Sequence, residues 1–168
     1  MFIEAKKLIG LPVAAVNTQS KIGQISQILI DPQNGNLMGF LVSLGGLLSP
    51  KKVLSAVDIR EFDPNGIVTE SSDNLVPPEE IVRVNDIIKK KIFLIGMPAK
   101  TESGKSLGNV EDLLIDTDTS SVAKYYLKDL LGKSRVLGSD KVVKVDKQII
   151  FTDDVNLPPP NAAGVTAS

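Results

Sequence analysis

Apolar positions in this chain come in short, β-branched runs. In the first half they cover residues 12–16, 22–30, 37–44, 53–59 and 67–69. Turn-forming residues interrupt them about every eight to twelve positions, which is the spacing of small antiparallel all-β domains. The second run carries apolar side chains at Ile22, Ile25, Ile28 and Ile30, with Leu29 between the last two. That is not a clean period of two, as expected if a bulge at Gly23 resets the faces of the strand. About six strands in seventy residues expose more edge than an open sheet hides well, so closure into a small barrel is predicted. The stretch 37–44 is apolar on both faces. One face can fill a barrel. The other needs cover from a second barrel, a helix, a partner chain or lipid, which makes Met38, Phe40, Val42 and Leu44 a candidate interaction surface.

The pattern is then written a second time. Leu8-Ile9-Gly10-Leu11-Pro12 returns as Leu94-Ile95-Gly96-Met97-Pro98, Ile22-Gly23 as Leu107-Gly108, and Ile30-Asp31 as Ile115-Asp116. Val53-Leu54 and Thr69 return as Val136-Leu137 and Thr152. The offset drifts by only a few residues, so a whole structural unit is duplicated. We expect a first domain at 1–76, a linker at 77–91, a second domain at 92–157 and a flexible Pro/Ala-rich tail at 158–168. In the linker, Pro77-Pro78-Glu79-Glu80 opens a segment that closes on Lys89-Lys90-Lys91. Ile81, Val84 and Ile88 fall at helical spacing between them. Proline and acids first and lysines last suit a short helix and its dipole.

Glycines and aspartates mark the corners. Asp31-Pro32-Gln33-Asn34-Gly35 reads as a hairpin loop, with a side chain that accepts from nearby amides and a glycine that tolerates positive φ. Asp116 opens the matching turn. Gly10, Gly23, Asp31, Gly35, Gly96, Gly108 and Asp116 are therefore assigned structural roles.

These residues together resemble the PRC-barrel, a module found in the H subunit of the photosynthetic reaction centre and in a bacterial ribosome-maturation factor. The resemblance covers both units, so the chain is similar to a tandem PRC-barrel protein. It implies an all-β fold of two small antiparallel barrels joined by a short helical linker, and a habit of docking onto larger assemblies. It implies no catalytic residue. The family often carries an acid four residues before the strand-ending Asp; Asp112 matches it in the second unit, and Gln27 stands there in the first.

Composition narrows the chemistry. The 168 residues contain neither Cys nor His, which removes thiolate and imidazole zinc sites, disulfides, Cys nucleophiles and His bases. Lys and Arg number 19 against 20 Asp and Glu, so no overall field favours nucleic acid. Asp116-x-Asp118 lacks the Gly and Glu that a calcium loop needs at its sixth and twelfth positions. Glu111-Asp112 and Asp153-Asp154 are adjacent carboxylates that point apart on a strand. Gly45-Gly46 stands outside any phosphate-loop motif. Lys51, Lys52, Lys124, Lys128 and Lys133 are candidates for a modest basic patch. The opening residues do not read as a secretory signal, and the longest apolar stretch is too short to span a bilayer. The expectation is a non-enzymatic cytoplasmic binding or assembly module that uses a protein partner or self-association, with no cofactor, metal or small-molecule substrate. The alternative is an RNA- or ribosome-associated maturation factor.

Overall fold

The structure is a computed structural model and describes residues 1–156; the predicted tail at 158–168 lies outside them. The chain is mostly strand and forms two sheets. It opens with β1 (Phe2–Glu4) and one helical turn, α1 (Ala5–Leu8). The first sheet follows as β2 (Pro12–Ala15), β3 (Ser20–Ile30), β4 (Leu37–Ser43), β5 (Lys52–Ser55), β6 (Ile59–Asp63), β7 (Gly66–Thr69) and β8 (Leu75–Val76). Helix α2 (Val82–Lys90) comes next. The second sheet holds β9 (Pro98–Thr101), β10 (Ser106–Asp116), β11 (Ser121–Lys128), β12 (Ser134–Gly138), β13 (Val142–Val145) and β14 (Ile149–Phe151).

The duplication in the sequence is a duplication of topology. The strand order is β6-β7-β2-β3-β4-β5-β8 in one sheet and β12-β11-β10-β9-β14-β13 in the other. Gly10 N donates to Ile25 O at 2.8 Å, and Gly96 N donates to Val110 O at 2.7 Å, so the repeated Ile-Gly step makes the same crossing twice. A bulge interrupts pairing between Ile25 and Gln27, and another between Val110 and Asp112. Gly108 sits at φ +90°, and a Cβ there would run into the backbone oxygen of Lys128. The glycine is therefore required both by conformation and by close approach of the next strand.

Two features differ from the expected closed antiparallel barrel. Each sheet contains one parallel pair, β2 with β7 and β9 with β14. Those partners are separated by several strands, a connection long enough to return the chain in the same direction. The hydrogen-bonded path of each sheet is also open. In the second sheet the 3-10 turn Ser139–Lys141 joins the two end strands, β12 and β13, through the chain; in the first, the turn Ala56–Asp58 joins the end strand β6 to β5, the neighbour of the other end strand, β8. A three-residue connection holds the strands it joins within about 14 Å of each other.

Inward-facing side chains fill each curled sheet. Phe40 meets Phe62 edge-on at 6.4 Å between ring centroids, and Tyr125 meets Phe151 at 5.6 Å. The interiors are not isolated, because one contiguous buried cluster runs through both units. Where they touch, Asn36 bridges Ser121 in antiparallel fashion, with Leu37 N donating to Ser120 O and Val122 N to Gly35 O.

Candidate interaction surface

The two-faced strand β4 has an answer within the chain. Phe40 and Val42 point inward and are fully buried, Met38 is partly buried, and Leu44 is partly exposed at the strand end. Phe40 and Val42 thus lie out of reach of a partner, which corrects the surface expected from sequence. The opposite face presents Leu41, flanked by Leu29 on β3 and Val53 on β5. It is covered by Val84 of α2, with Ile81, Ile88 and Phe93 packed alongside. This is the apolar stripe expected in the linker, laid across the outer face of the first sheet. Arg83 fixes the helix in place: its Nη2 reaches Asp31 Oδ2 at 2.5 Å and Gln33 Oε1 at 3.3 Å. Asp31 Oδ1 meanwhile accepts from Gln33 N, and Asp31 O accepts from Gly35 N. Asp31 thus both shapes its turn and serves as a buried anchor for the helix, a second role that the sequence reading missed.

The segment that opens the chain docks on the other unit. β1 pairs with β10, with Ile3 opposite Ile115 and Glu4 opposite Leu114. Ala5 and Leu8 of α1 are fully buried. Asp112 Oδ1 accepts from Lys6 N at 3.0 Å and from Leu113 N at 2.8 Å, so it caps the turn from across the molecule. Lys6 Nζ pairs with Glu111 at 3.1 Å. The first unit thus reaches across to the second sheet through β1 and α1, while α2, between the units, lies on the first sheet.

The outer faces are consequently unequal. Cross-strand register aligns Gln27, Leu41 and Val53 in the first sheet, and Asp112, Tyr126 and Val136 in the second. Leu41 and Val53 of the first row lie under α2. The second lines an open groove of about 250 Å³, together with Glu4, Glu111 and Arg135. Val136 is 52% exposed there, whereas its counterpart Val53 is 0% exposed.

The family model for the PRC-barrel domain matches residues 1–93 and again residues 94–157. The chain belongs to the PRC-barrel domain family. No curated protein matches it.

In this tandem PRC-barrel the family acid, Asp112, and its replacement, Gln27, acquire a physical reason. Asp112 receives the Lys6 amide of a turn that arrives from the other unit. Gln27 lies on the strand next to the helix-covered row, where no helix N-terminus arrives. The other adjacent carboxylates are engaged by neighbours. Hydrogen bonding from Lys6 holds Glu111 below its ordinary range, and the Ser103 amide does the same for Asp153. Asp154 is lowered by Lys141 and Thr152, and Lys141 is raised in return. Asp116 accepts from Asp118 N in a side-chain turn at 3.0 Å. Among the described residues, no three acidic side chains gather to hold a metal ion. No helix among them is long and apolar enough to cross a membrane. The candidate lysines form two groups: Lys51 between β4 and β5 with Lys52 at the start of β5, and Lys124, Lys128 and Lys133 on and just after β11; β4 and β11 run away from the Asn36–Ser121 bridge in opposite directions.

Proposed function

We propose that this tandem PRC-barrel is a non-enzymatic binding module that docks onto a larger protein assembly through the outer face of its second unit. The observation that carries the reading is the inequality of two equivalent faces. On the first, an amphipathic helix covers Leu41 and Val53. On the second, the counterparts Tyr126 and Val136 stand at an open groove. The covered face supports the kind of occupant that fits the open one: a helix presenting aliphatic residues at helical spacing, laid across β10 to β12. Glu4 and Arg135 supply a polar rim of both signs, as expected around an apolar docking centre.

A photo-crosslinking residue at Val136 in the full chain, activated in native lysate, tests this. The reading expects one discrete protein adduct that is absent with the crosslinker at Val57, a still more exposed valine of the first unit, and lost when Tyr126→Lys is added. No adduct, or the same adducts from both positions, would overturn it.

A further inference from the structure

The loops that follow β4 and β11 carry the most exposed apolar side chains of the described residues. Leu47 and Leu48 are 104% and 98% exposed, and Leu130 and Leu131 are 104% and 95%. The two pairs occupy the same place in the repeat, between the fourth and fifth strands of one unit and between the corresponding β11 and β12 of the other. One exposed leucine needs no explanation; the same adjacent pair at the same loop of both units does.

The loops that hold these pairs are built differently. The first runs Gly45-Gly46-Leu47-Leu48-Ser49-Pro50, with both glycines at positive φ. The second is a tight turn in which Asp129 Oδ1 accepts from Leu131 N at 2.9 Å and Lys133 N at 2.8 Å. Length, turn chemistry and shape all differ. What the two share is a fully exposed Leu-Leu followed by lysine: Lys51-Lys52 in one, Lys133 in the other, with Lys128 on the near side. A protein groove reads shape and would demand the same loop twice. A bilayer interface demands only apolar tips that enter the headgroup boundary and cations that stay among the phosphates.

Charge agrees. The whole chain carries a net charge of −1, yet no acid occurs between Asp31 and Asp58. In the second loop the Asp129 carboxylate is turned inward onto its own turn amides. Both tips are therefore basic collars on a protein that is close to neutral overall.

We propose that Leu47-Leu48 and Leu130-Leu131, each with its flanking lysines, are two interfacial anchors that insert into the surface of an anionic lipid bilayer. The two tips lie on opposite sides of the bridge between the units, so each binds a bilayer on its own. This does not depend on the groove at Val136, which is a separate surface.

Sedimentation of the full chain with vesicles tests it, using phosphatidylcholine alone and an equal mixture of phosphatidylcholine and phosphatidylglycerol. The expected result is binding to the mixed vesicles, at least about tenfold weaker on phosphatidylcholine alone and weakened by added salt. Leu47→Ser with Leu48→Ser, or Leu130→Ser with Leu131→Ser, should each lower binding about twofold, because the remaining tip still inserts, and all four changes should abolish it. These side chains lie fully exposed, so an unchanged circular dichroism melt is expected and separates lost binding from lost folding. No sedimentation with mixed vesicles overturns the proposal. So does binding that ignores the leucines, which would be charge attraction alone. If vesicles are ignored and the four-residue variant instead loses a protein captured by crosslinking, the tips dock on protein and the proposal fails.

Discussion

Replacing Arg83 with Met tests the anchoring of α2 on the first sheet. The Asp31 carboxylate is 4% exposed, and the Arg83 side chain that pairs with it is 58% exposed. Breaking a fully buried ion pair costs about 3–5 kcal/mol, because a charge is left unpaired in low dielectric. Here water reaches the guanidinium side, and Asp31 keeps its hydrogen bond from Gln33 N. The loss should therefore fall in the range of one hydrogen bond to a charged group, about 2 kcal/mol. Methionine keeps the stem length and helix propensity, so the helix itself is little affected. For a chain of this size that loss lowers the melting temperature by about 4–8 °C. Urea unfolding of Arg83→Met, Asp31→Asn and the double variant gives the coupling directly, with an expected interaction energy of about 1–2 kcal/mol. A single-variant loss below about 0.5 kcal/mol, the level of an ordinary surface change, or strict additivity in the cycle would refute the anchoring.

Two further outcomes follow from the interior. Burial pushes the Tyr125 hydroxyl up to about 12 from a usual value near 10. The unfolded chain then loses its proton first, so this contribution is intact below about pH 10 and declines as pH rises toward 12, by roughly 2–3 kcal/mol in all. Tyr125→Phe should flatten the alkaline limb of a stability profile measured by urea unfolding; an unchanged limb would remove the assignment. Gly96 and Gly108 have nearly the same positive φ, but a Cβ at Gly96 meets open space. Gly96→Ala should cost about 1–2 kcal/mol from conformation alone. Gly108→Ala should cost more than about 3 kcal/mol, because it adds a backbone clash. Equal thermal shifts for the pair would contradict the close crossing at Lys128.

Much of the fold is legible in the sequence because it is local. Asp31-Pro32-Gln33-Asn34-Gly35 specifies a hairpin by its own turn chemistry, and Gly23 and Gly108 announce crossings by having no side chain. Duplication makes each signal visible twice. What the sequence hides is long-range pairing. β1 has only three residues, too few for a period, and its partner lies in the opposite unit. The parallel pairs β2·β7 and β9·β14 join residues separated by several strands. The two-faced strand around Phe40 was visible, and so was the stripe of Ile81, Val84 and Ile88. Nothing local states that one covers the other. Arg83 was the available clue: a lone arginine at the start of that helix needs an anionic partner, and Asp31 is the buried one. The unequal outer faces were hinted at only by Gln27 standing where Asp112 stands in the second unit.

The crossing of β1 to the second sheet, while α2 covers the first, is the claim on which the unequal faces rest. The chain contains no cysteine, so a pair of introduced thiols reports proximity without background. Residues directly opposite in an antiparallel ladder lie about 4.5–5.5 Å apart at Cα, within reach of a disulfide. Glu4→Cys with Leu114→Cys should form an intramolecular disulfide on mild oxidation, and Glu4→Cys with Leu29→Cys, the equivalent site on its own unit, should not. A bond in the second pair and none in the first would mean that β1 stays with its own barrel, and the crossing would be wrong.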